Sequence, residues 1–221
     1  MAALVGDAVL GDAVLVDAVL VDDMAVERLA DLGLNADLIE RVVRQADAEV
    51  NMCTELDPPI LAGLTRWAKT SRFLREELIP HGWTYDNPRN LARTIHPSGE
   101  FAIVAATGDE LTGLADVLPG TRYRKGDATI AAVQANEQLA FDFGDFVTGT
   151  ADPGAIRTWV LLFHADEDEF RVELSLPDRI EDGRITRWAE RIILPPFPRD
   201  QDTLTMEDDH HDHVVVEVVR R

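Results

Sequence analysis

The chain reads as an α+β protein, with an N-terminal helical layer followed by a mainly antiparallel sheet of two or more hairpins covered by helices. Three observations predict this class. Capped segments with 3–4 spacing of apolar residues occupy 24–80. From His81 the pattern changes to short apolar runs punctuated by turn residues, and helix-like spacing returns near 129–140 and 183–194. With 221 residues, 46% of them apolar, the chain can build a sizeable core as one integrated domain or two.

Residues 4–23, LVGDAVLGDAVLVDAVLVDD, repeat every five positions. Five residues turn a helix by about 500°, so successive Asp residues fall about 140° apart and no apolar stripe forms. In a strand, the odd period sends like residues to alternate faces. The segment 1–23 is therefore expected to lie outside the core, as a tandem duplication ahead of a start at Met24. Asp7, Asp12, Asp17 and Asp22 also break any signal peptide or membrane span there.

Two helices are expected next. The first covers Val26 to Leu32 and stops at Gly33; Asn35 caps the second, which places Leu38, Val42, Val43 and Ala46 on one side. Asp57-Pro58-Pro59 signals a third helix running to Leu78 or Ile79, with Leu61, Leu64, Trp67 or Ala68, Ser71, Leu74 and Leu78 on its buried face. Its Arg66, Lys69, Arg72 and Arg75 drift around the outside, where pairing with acids is the expectation.

Beyond His81, the runs 91–96 and 100–106 flank the turn Pro97-Ser98-Gly99. Asp127 or Thr129 caps a helix over Ile130 to Leu139. At 157–176, a loop of Asp166 to Glu169 pairs Phe163 with Val172, Leu161 with Leu174 and Trp159 with Leu176 on a core face. The segment 183–194 reads as a helix packing Ile185, Trp188, Ile192 and Ile193, ended by Pro195, Pro196 and Pro198. These readings divide the chain into the repeat (1–23), a helical region (24–80), an α+β sheet region (81–199) and an acidic, His-rich tail (200–221) whose VVVEVV run has the pattern of an edge strand.

The charge is one-sided: 41 Asp and Glu face 21 Lys and Arg, giving a net charge of -20. Free nucleic acid and anionic membrane are thereby poor partners, whereas a protein partner is expected. Acids scattered through every segment, with only Lys69 and Lys125 as lysines, fit background adaptation better than a polyanion mimic. The exception is 61–100, with 4 acids and 6 bases. The single cysteine, Cys53, forms no internal disulfide and is expected as a buried thiol in a cytoplasmic protein.

No constellation names a reaction. Arg122-Tyr123-Arg124-Lys125-Gly126 ahead of a helix start, with Arg89 and Arg93, forms a candidate anion-binding set, although it lacks P-loop glycines. His164, Arg171 and Glu173 fall on one sheet face, a candidate polar face with no nucleophile beside it. Asp109, Glu110 and Glu173 invite comparison with metal-dependent nucleases, against which the lack of a lysine near Glu173 argues. His210, His211 and His213 are weak metal candidates, because adjacent residues in a tail do not fix a coordination geometry. No metal or cofactor is expected. The segment 26–44 has the outline of a helix-turn-helix, with acids where phosphates are met.

The leading expectation is a soluble, non-enzymatic cytosolic accessory or interaction protein. The alternatives are an enzyme acting on a phosphorylated or nucleic-acid substrate through 81–125, and a transcriptional regulator using 26–44.

Overall fold

The computed structural model describes residues 16–142 and 156–199. Four helices and an eight-stranded sheet form the described part. The helices are α1 (Asp22–Asp31), α2 (Ala36–Val50), α3 (Leu61–Leu78) and α4 (Asp127–Asp142). The strands are β1 (Val16–Leu20), β2 (Thr84–Asp86), β3 (Arg93–Ile95), β4 (Phe101–Thr107), β5 (Arg157–Ala165), β6 (Glu169–Glu181), β7 (Arg184–Ile193) and β8 (Phe197–Pro198). They run in the order β1-β7-β6-β5-β4-β3-β2, with β8 also on β6. None of the described helices is long and apolar enough to cross a membrane.

The class is α+β, but the sheet is mixed rather than mainly antiparallel. β4 pairs with β5 in parallel, and so does β1 with β7. The first parallel join follows from α4, which lies between β4 and β5 in the chain and allows the return that a tight turn forbids. The second involves the repeat. Its last copy supplies β1, and Leu20 packs against the main core, so the expected exclusion of 1–23 fails for 16–20.

The expected helix at 183–194 is also overturned, since it is β7. Register shifts between Leu176 and Ile180 of β6 disturb alternation along the pair. Trp188 joins Ile185 in one core cluster, whereas Ile192 belongs to the other. Buried residues at 185, 188 and 192 thus mimic a helical stripe. The prolines end the strand instead, and Leu194 N–H still donates to Val172 O at 3.0 Å before β8 resumes the pairing.

Other elements agree with their sequence signals. Gly33 ends α1 with φ +70°, and Asn35 Oδ1 accepts from Leu38 N–H at 2.9 Å. The β5–β6 hairpin keeps the expected register at Phe163/Val172, Leu161/Leu174, His164/Arg171 and Leu162/Glu173. Asp57 accepts from Thr54 N–H instead of capping α3, which starts at Leu61.

Two cores result. The larger joins α1, α2 and α3 to Phe101, Ile103, Trp159, Leu161, Phe163 and Leu174. The smaller gathers Val104, Ala106, Val160, Leu162, Ile185 and Trp188. Asn136 of α4 ties that helix to the sheet, donating to Thr158 O and Pro177 O and accepting from Thr158 N–H.

Beside the smaller core, the loop 109–120 is held by a fully buried ion pair. Arg191 donates to Glu173 through Nε (3.2 Å) and Nη2 (2.5 Å), to Val117 O at 2.7 Å and to Leu114 O at 3.1 Å. Gly113 N–H donates to Glu173 at 3.0 Å; its φ of +76° suits glycine, and a Cβ there would meet Arg171 Cβ at 2.9 Å. Removing one partner strands a buried charge. Arg191→Met is expected to cost about 3–5 kcal/mol in urea unfolding, and Arg191→Met with Glu173→Leu clearly less.

Candidate functional site

The candidate site arises where β3 stops short. β3 pairs with β4 only at Ile103 and Ala102, leaving the outer edge of β4 from Val104 to Thr107 without a strand neighbour. Two groups cover part of it: Trp67 Nε1–H donates to Ala105 O at 3.1 Å, and Arg122 N–H donates to Thr107 O at 3.0 Å. Between them lies a cavity of about 200 Å³, with Trp67, Leu91, Ala106, Arg124, Lys125 and Thr129 among its walls. A second cavity of about 250 Å³ adjoins it, sharing Trp67 and Lys125. A third, outer cleft shares Asn90, Leu91, Gly126 and Thr129 with the first and adds Arg89 and Asp127.

Lys125 is placed by its backbone. Its N–H donates to Gly183 O at 2.8 Å in the β6–β7 turn, where Gly183 has φ +74° and a Cβ would stand 3.0 Å from Lys125 O. The same residue starts the approach to α4, whose first turn Gly126 O closes by accepting from Thr129 and Ile130 N–H. Among the described residues, no carboxylate lines either of the two cavities that Lys125 shares. Among the described residues, neither the Lys125 ammonium nor the Arg124 guanidinium has a hydrogen-bond or ion-pair partner. Burial alone pushes the Lys125 ammonium down to about 8. Lys69, the other lysine, is held at 2.6 Å by Glu49.

The candidate anion set is thus divided. Arg124 and Lys125 line the inner cavity and Arg89 the adjoining cleft. Arg93 is taken by Asp86, whose carboxyl it holds below its usual value through hydrogen bonding, and Arg122 stacks over Tyr123. Sequence reasoning missed Trp67 as a cavity wall, because its place in a 3–4 stripe reads simply as core.

The candidate polar face is not assembled for acid-base work. Glu173 is committed to Arg191 and Gly113, Arg171 reaches Asp166 and Glu169 at 3.9 and 3.6 Å, and His164 stands opposite Arg171 in the strand register. Asp109, from the nuclease comparison, clamps its own loop by accepting from Gly120 N–H at 2.7 Å and Leu111 N–H at 3.1 Å. Cys53 is half-buried, with Sγ 3.9 Å from Thr65 Oγ1, rather than buried. In the helix-turn-helix-like segment, Arg41 reaches Glu77 at 3.0 Å and Arg44 reaches Glu40 at 2.8 Å. Residues 82–90, GWTYDNPRN, are anchored: Trp83 packs edge-on against His96 and Phe101, and Arg75 binds Asn87 and lies over Tyr85. His210, His211 and His213 lie outside the described residues, among which no three His, Cys, Asp or Glu side chains cluster as metal ligands would.

Lys125 is a charge the fold tolerates at a cost. Its folded value lies below the unfolded one, near 10.4, so between about pH 8 and 10.4 the unfolded chain binds more protons and stability rises with pH. Lys125→Met is expected to remove that rise and to stabilise the protein at pH 7 by roughly 1–3 kcal/mol, as read from urea unfolding between pH 7 and 10.5. No protein family, curated protein or solved structure matches this chain.

Proposed function

We propose that this protein is a non-enzymatic binding protein that takes an anionic group, phosphate or carboxylate, in the cavity around Lys125. The observation that carries the reading is the half-buried ammonium of Lys125, without a partner among the described residues, in a cavity whose described walls carry no acid, on a chain with 41 of them. A chain of this composition has abundant carboxylates with which to neutralise a lysine, as Glu49 does for Lys69. An ammonium held apart from them at a cavity is arranged for a counter-ion from outside. Arg124 adds a second unpaired cation on the rim. The start of α4 adds a weaker attraction of the same sign. The reading is of binding in place of catalysis, because no His, Cys, Asp or Glu among the described residues lines the cavity beside Lys125 to act on a bound group.

Calorimetric titration with pyrophosphate tests this reading. Binding is expected to weaken at least tenfold in Lys125→Met and to persist in Arg122→Ala, whose side chain lies outside the cavity walls. Because the anion favours the charged amine, affinity is expected to fall as pH rises through about 8. Affinity that is indifferent to Lys125→Met, or that increases with pH, overturns the reading.

A further inference from the structure

The second cavity differs in chemistry from the first. Apart from Lys125 it is lined by Ile60, Gly63, Leu64, Trp67, Thr107 and Tyr123. Three of these are large side chains facing water: Ile60 is 69% exposed, Leu64 50% and Tyr123 59%. The spacing of α3 places Leu61 and Leu64 on its buried stripe, yet Leu64 is exposed, Leu61 and Trp67 are only half-buried, and full burial along that helix begins at Thr70 and continues through Ser71, Leu74 and Leu78. The first half of α3 therefore carries an apolar face that the described residues leave open. Gly63 deepens it, since a Cβ there would have nothing within 4 Å. Lys125 is one of the walls of this groove and, with Trp67, is common to both cavities.

We infer that the anion taken at Lys125 carries an apolar chain or ring, which lies along the groove formed by Ile60, Leu64, Trp67 and Tyr123. The inference rests on the anion-binding reading above and adds the ligand class: an amphipathic anion with a carboxylate or phosphate head. Charge complementarity fixes its orientation. Among the described residues, the only charged side chain lining the groove is that of Lys125, so the head turns toward the inner cavity that Lys125 shares and the apolar body covers α3. A neutral apolar ligand would leave that ammonium desolvated further and still unpaired, which is unfavourable. A small anion would leave the exposed apolar side chains in water.

The test is a homologous series titrated calorimetrically into the full chain: acetate, butanoate, hexanoate and octanoate, methyl to octyl phosphate, and the matching alcohols. Affinity within at least one anionic series is expected to rise about fourfold per methylene until the groove is filled. Which series does so identifies the head. Octanol is expected to bind at least tenfold more weakly than the matching anion. Gly63→Leu fills the groove with a better helix former, so the fold is retained. It is expected to flatten the chain-length gradient while leaving pyrophosphate binding unchanged. Pyrophosphate binding without any gradient in either series removes this inference and leaves the anion reading standing. Octanol binding as tightly as the octyl anions, or a gradient that survives Gly63→Leu, also overturns it. Loss of all anion binding overturns both.

Discussion

The ion pair between Glu173 and Arg191 is the constraint from which the cavity wall descends. Both groups are fully buried, where neither charge is tolerable alone. Glu173 is satisfied by Arg191, Ser175 and Gly113, and Arg191 by Glu173, Val117 O and Leu114 O. The pair therefore specifies one arrangement of the loop 109–120, because the loop supplies the carbonyls and the amide that complete it. Trp188 adds a further tie to Pro119 O at 3.0 Å. Once the loop is fixed, Gly120 is clamped by Asp109, Arg122 is brought to the open edge of β4, and Lys125 is held by Gly183. The chain of dependence runs from a buried charge pair to the position of an unpaired one.

A similar economy joins the helices to the sheet. Asp47, almost fully buried on α2, accepts from Arg66 of α3 and from Arg199 beyond β8, and Arg28 of α1 grips Glu190 of β7 with two hydrogen bonds. Arg75 reaches three acceptors in the 86–93 segment, Asp86 O, Asn87 Oδ1 and Arg93 O. Arg66, Arg72, Arg75 and Arg93 of the cationic window are consumed in such contacts, whereas Arg89 lines the outer cleft. This pairing explains why a window with 6 bases and 4 acids contributes so little free positive charge to the surface. What remains unpaired lies mainly in the 122–125 segment, outside that window.

Much of the fold was legible where one local signal decides the structure. Gly33 and Asn35 mark a helix boundary through backbone chemistry alone, and the β5–β6 register follows from alternation across a short loop. The failures share a different cause. β7 was disguised because irregular pairing with β6 displaces Trp188 from the face of Ile192, which erases the period of two. The parallel joins β4–β5 and β1–β7 depend on partners far away in sequence, and periodicity carries no information about them. For the site, the run Arg122 to Gly126 before a helix was readable as an anion loop. Which of its cations would be neutralised was not. Arg93 and Lys125 look alike in sequence; Asp86 lies opposite Arg93 in the β2–β3 ladder, and no acid lies beside Lys125.

The net charge of -20 sets the scale against which a single lysine must attract an anion. If those charges acted from about 20 Å away in water, they would oppose an incoming anion by ~4 kcal/mol without screening. At physiological ionic strength, with a Debye length of about 8 Å, the same sum falls to a few tenths of a kcal/mol. Contacts made directly at a half-buried ammonium are screened less than that sum, because they act over a distance shorter than the Debye length. The acidic background and the cationic cavity are therefore compatible under salt, and the background acts mainly at long range. It disfavours extended polyanions, whose charges must cross the surface field along their length. A compact anion reaching the cavity meets Lys125 and Arg124 with no carboxylate among the inner walls. Under the anion-binding proposal, the acidity that argues against nucleic acid favours small ligands, and the groove on α3 favours those with an apolar body.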